Sequence, residues 1–103
     1  MDARAINKAL KALKVGEPIE VVWRDACTSA TRWLDTKEAV SVTLSVILTR
    51  GTFVGMDEGA VRVALDAGVH DDGSIGDFHG IGVIDRGAIV EVVPLRRRGR
   101  ARK

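Results

Sequence analysis

The densest chemistry in this sequence lies in Arg96, Arg97, Arg98, Arg100, Arg102 and Lys103, six cations in eight residues interrupted only by Gly99 and Ala101. Such a run attracts phosphate backbones by releasing their counterions, and does so without reading base sequence. It contains nothing that could pack into a core, so a disordered tail is expected. The same charge also suits a solubilising tail with no fixed partner. Two further clusters have turn composition: Asp57, Glu58 and Gly59, then Asp85, Arg86 and Gly87. A hairpin turn and an exposed ion pair use these residue types. Trp33 follows a Ser/Thr/Ala-rich stretch and offers a ring for base stacking, with an interface or core role as alternatives. Trp23 shares the parity of Ile19 and Val21, which places it in the core.

No catalytic constellation stands out. His70, Asp71, Asp72 and His79 include metal-ligating types, but their spacing matches no known site and they occupy a glycine-rich stretch. His70 and Asp71 lack an accompanying nucleophile for acid–base work. Cys27 has no sequence neighbour that would hold a thiolate, so a structural role is expected. There is no triad, phosphate loop or pair of matched acids. The expectation is a protein that is not an enzyme, with no metal and no cofactor.

The elements that must position these residues follow from charge and periodicity. A chain of 103 residues suits one domain. Residues 1–94 hold 10 Lys and Arg against 14 Asp and Glu, a net of −4, whereas residues 95–103 carry +6. The basic overall balance therefore belongs to the tail. A single cysteine closes no internal disulfide. No apolar run reaches membrane-spanning length and no signal-peptide pattern appears, so a soluble cytoplasmic protein is expected.

Residues 2–14 have apolar positions Ala3, Ile6, Leu10 and Leu13 at helical spacing, with Asp2 as cap and Arg4, Lys8 and Lys11 on another side. Gly16 and Pro18 end that helix. Strands are expected at 19–24, 41–50, 52–56, 60–66, 78–84 and 88–93, separated by turn signals. Asp35 and Glu38 form a capping box for a helical turn over 36–40. Along 41–50, Val42, Leu44, Val46 and Leu48 alternate with Ser41, Thr43, Ser45 and Thr49, which predicts an inward apolar face. In 60–66, Val61, Val63 and Leu65 are expected inward. Residues 67–77 read as a polar loop. The organisation is a helix at 1–16, a mainly β domain at 17–94 and a basic tail at 95–103.

This order resembles the Sm-like small β-barrel family. Gly51, Phe53, Val54, Met56 and Asp57 follow the first family motif at its glycine, apolar and aspartate positions. Ile84, Arg86 and Gly87, followed by an apolar strand, have the shape of the second with one extra residue. Ala60 and Val61 stand where the family has Met and Asn, the pair that helps hold uracil, and the Tyr-Lys-His turn of the bacterial host-factor branch is absent. The layout Trp23, Asp25, Ala26, Thr28, Ser29, Trp33, then Ile84, Gly87 and Ile89, is closest to uncharacterised Sm-like proteins of phage origin, with Asp85 in place of a proline. The likeness covers about residues 19–95. It implies an N-terminal helix followed by a five-stranded, strongly bent antiparallel SH3/Sm-like barrel. It further implies a homo-oligomeric ring, pentamer to heptamer, that engages nucleic acid weakly, RNA ahead of DNA. Asp57, Arg86, Gly87 and Trp33 join the tail as binding residues. A sponge for a small nucleotide, with Arg86 and Asp57 on its rim, and an assembly part with no ligand are the alternatives.

Overall fold

The computed structural model describes residues 1–25 and 33–95. The first helix, α1 (Ala3–Ala12), starts where the Asp2 carboxylate accepts from the Ala5 amide at 2.8 Å. Its stripe seats Ile6 and Leu10 in the core with Leu13 beside them, while Ala3 stays exposed. The helix ends at Ala12, two residues short of the expected limit, where Leu13 turns extended and its amide donates to the Leu10 carbonyl. Gly16, at φ +95°, serves the turn that follows, in a region L-side-chain residues avoid. The Gly16 amide then donates to the Phe53 carbonyl, and the Phe53 amide to the Glu17 carbonyl, so the chain enters the sheet directly.

Five strands follow: β1 (Pro18–Asp25), β2 (Ser45–Met56), β3 (Ala60–Val69), β4 (Ile75–Asp85) and β5 (Ile89–Pro94). A short helix α2 (Thr36–Val40) precedes β2, its Asp35 cap accepting from the Glu38 amide as the capping box requires. One 3₁₀ turn, Arg86–Ala88, joins β4 to β5. The strands form one antiparallel sheet in the order β4-β3-β2-β1-β5. Ile19, Val21 and Val61 are fully buried, and Phe53, Val63, Ile84, Ile89 and Val92 complete the core under α1.

Five expectations of the sheet need correction. The sheet is open: β4 and β5 lie at its two ends and do not pair, so no closed barrel forms. The strands expected at 41–50 and 52–56 are one, β2, and residues 42–44 precede it. The face of β2 is also reversed. Val42, Leu44, Val46 and Leu48 are 44–65% exposed. Phe53 must be inside, and the unbroken pairing of β2 with β1 from Ser45 to Thr52 carries that parity back to Thr49 and Ile47. Thr49 is accommodated because its hydroxyl accepts from the Trp23 indole N–H at 3.0 Å. Inward polarity thus meets the one aromatic N–H that needs an acceptor.

Pairing of β2 with β3 runs only from Thr52 to Met56. Beyond Ala64 the β3–β4 hairpin leaves β2, and the two diverge as a fork. Leu65, expected inward, lies past the fork and is 73% exposed. The expected loop at 67–77 is mostly strand, because β3 reaches Val69 and β4 begins at Ile75. The hairpin's far end rests through Ile75 on Gly16.

Candidate nucleic-acid interface

Asp57 and Arg86, 29 positions apart, are brought together by the two turns at one end of the sheet. Asp57 Oδ1 accepts from the amides of Gly59 (2.9 Å) and Ala60 (2.8 Å), and Oδ2 accepts from Arg62 at 3.0 Å. These bonds, that from Ala60 first, hold its carboxyl below the usual range. In the second turn Asp85 accepts from the Gly87 amide at 2.9 Å, which fixes the 3₁₀ turn. The Arg86 guanidinium then spans the gap. It donates to the Asp57 carbonyl at 2.9 Å and to Asn7 Oδ1 at 3.2 Å, while its own amide donates to the Gly59 carbonyl. Arg86 therefore ties α1 to both turns, with two bonds made by a group that has five N–H donors.

Gly87 lines a recess of about 440 Å³ together with Arg24, Leu44, Asp85, Ala88 and Val90. Trp33 is wholly exposed, as a stacking ring would be. The tail cations Arg96, Arg97, Arg98, Arg100, Arg102 and Lys103, and Cys27, lie outside the described residues.

Sequence reading grouped Arg4, Lys8 and Lys11 but gave them no role. All three are exposed, and with Asn7 they line a recess of about 620 Å³ on the outer side of α1. The signal was their shared helical face, read only as the complement of the apolar stripe. Since Asn7 is bonded to Arg86, this cationic surface is continuous with the turn cluster.

At the hairpin end, His79 Nδ1 lies 3.2 Å from Asp66 Oδ2, and Asp72 accepts from the Ser74 hydroxyl and amide. Those bonds, the hydroxyl's first, hold the Asp72 carboxyl below its usual value. Among the described residues no three His, Cys, Asp or Glu side chains gather where they could hold a metal ion. No helix among them is long and apolar enough to cross a membrane.

Neither family models, curated proteins nor solved structures gave a match to this chain. Its chemistry therefore rests on the geometry above. The turn cluster supplies a rigid guanidinium, the helix a cationic face and the tail six further charges.

The state of Asp57 gives the turn a pH dependence. A carboxyl whose folded pKa is depressed contributes stability that is complete above the unfolded pKa, about 4. That contribution is lost as pH falls through the folded value. Stability should accordingly fall on acidification below about pH 4, and Asp57→Asn should flatten that limb in urea titrations run at stepped pH.

Proposed function

We propose that this chain is a non-enzymatic, Sm-like binding module. Copies join through their edge strands into a ring and hold nucleic acid, RNA in preference to DNA, weakly through the basic tail and the turn residues Asp57, Arg86 and Gly87, with Trp33 as a stacking ring. The observation that supports this most is the unprotected edge of β4. Gly80, Ile81, Gly82, Val83 and Ile84 carry no charge along a free edge strand, and Ile81 and Val83 are 46% and 62% exposed. Edge strands that remain single are usually blocked by charge, proline or a covering element, and among the described residues none of these protects β4 between Gly80 and Ile84. Pairing β4 with β5 of a second copy would satisfy both edges and close the ring. Repeating the tail around a ring would raise avidity without any new contact.

Light scattering on the full chain tests the assembly, and a monomer would count against it. For binding, deletion of residues 96–103 should remove most affinity for mixed-sequence RNA at low salt. The log–log salt slope should fall from about −4, as six charges on a single strand give, to near zero. Unchanged binding with the tail removed would shift the site to α1 and the turns. Binding of a small nucleotide that survives the deletion but is lost in Arg86→Ala would favour the sponge.

A further inference from the structure

We propose that the water-facing side of β1 and β2 packs against the same surface of a second copy of this chain, a contact separate from the edge strands. Val40, Val42, Leu44, Val46 and Leu48, at every second position, are 44–78% exposed. Together they leave on the order of 500 Å² of apolar surface in water. Val46 and Leu48 lie in β2, on the side that the parity of Phe53 leaves outside the core, and Val42 and Leu44 lead into that strand from α2.

The occupant is argued from symmetry and charge. On this face the register sets Leu48 beside Val22, Arg50 beside Glu20 and Val46 beside Arg24. A two-fold axis parallel to the strands, midway between β1 and β2, lays Leu48 over Val22 of the partner subunit. The same operation lays Arg50 over Glu20 of the partner subunit. Arg50 Nε already meets Glu20 Oε1 at 2.7 Å and its side chain is 67% exposed. Two such pairs then close a ring of alternating charge at one end of an apolar centre. At the other end the aliphatic stem of Arg24, which has no ion-pair partner among the described residues, covers Val46 of the partner subunit. The surface is thus complementary to itself, as an isologous contact demands.

The test is the particle mass of the full chain, of Leu48→Asp, and of an edge variant with Ile81→Lys and Val83→Lys. Leu48 is exposed, so its aspartate variant should keep the near-ultraviolet spectrum and melting temperature of the parent. Its self-association should weaken roughly a hundredfold, as for a charge buried without a partner, at least halving the mass. Arg50→Glu should weaken the contact as well, and combining it with Glu20→Arg should restore it. A monomeric parent, or a mass unchanged by Leu48→Asp, overturns the proposal; either result would leave this face to another chain or to residues 26–32. The edge variant separates the two assembly readings. If it alone lowers the mass, the edges assemble and this face does not. If only Leu48→Asp lowers it, this face assembles and the edge-paired ring fails.

Discussion

Gly51→Ala should destabilise the fold by about 2–3 kcal/mol, the upper part of the cost of overpacking. A Cβ at this position would lie 2.4 Å from the Ala64 carbonyl oxygen and 2.6 Å from Val63 Cγ1. The first of these is backbone and cannot step aside. Gly51 also faces Ile19 across the β1 pairing, so β2 is held on both flanks and cannot shift to make room. At a typical urea dependence of about 1 kcal/mol per molar, the midpoint should drop by about 2 M with an unchanged slope. Gly82→Ala is the matched comparison. Its Cβ would meet only the Val63 carbonyl oxygen at 3.6 Å, an ordinary contact, and the midpoint should barely move. Equal shifts in the two variants would mean that close approach is not what glycine provides at position 51.

Leu10→Ala should cost about 2–5 kcal/mol, the range for truncating a buried leucine. Leu10 is 1% exposed and shares the core with Ile6, Ile89 and Val92. A helix of 10 residues does not hold itself together in water, so its folding depends on this docking. Losing it should release α1 first. Amides of α1 and of β5 should then exchange faster than those of β1 in a hydrogen-exchange measurement. Asn7 would leave Arg86 in the same event, and the turn cluster would loosen with it. Lys8→Ala, on the exposed side, should leave both stability and exchange unchanged. If α1 stays protected in Leu10→Ala, the helix is held by something other than its apolar stripe.

Much of the architecture is legible in the residues, and the failures have physical reasons. The start of α1 follows from Asp2 and its buried side from the spacing of Ile6 and Leu10, because cap and stripe are local signals, whereas its end at Ala12 comes before the expected stop at Gly16. Asp35 and Glu38 locate α2 for the same reason. Turn chemistry placed Asp57 and Asp85 correctly, and both bond their own backbone two residues on. The orientation of β2 was misread because alternation gives two faces but not which one is covered. Phe53 decides it from the far end of the strand, through an uninterrupted register. Trp23 offered a second clue, since its N–H needs an acceptor and Thr49 is the one within reach. The bond of Arg86 to Asn7 joins residues 79 positions apart, and no local pattern announces such a meeting. The open sheet was likewise out of reach, because the number and order of strands do not say whether the outer two will touch.

The fork between β2 and β3 divides the molecule into regions of unequal persistence. From Ala60 to Ala64, β3 is held on both sides, by β2 and by β4. From Leu65 to Val69 it has β4 alone, and the hairpin beyond is moored at its tip by Ile75 against Gly16. A two-stranded ribbon is marginal by itself, so little beyond that mooring keeps this arm in place. The arm is thus a two-stranded ribbon that returns to the body of the fold at Ile75, beside Gly16 and the Pro94 end of β5.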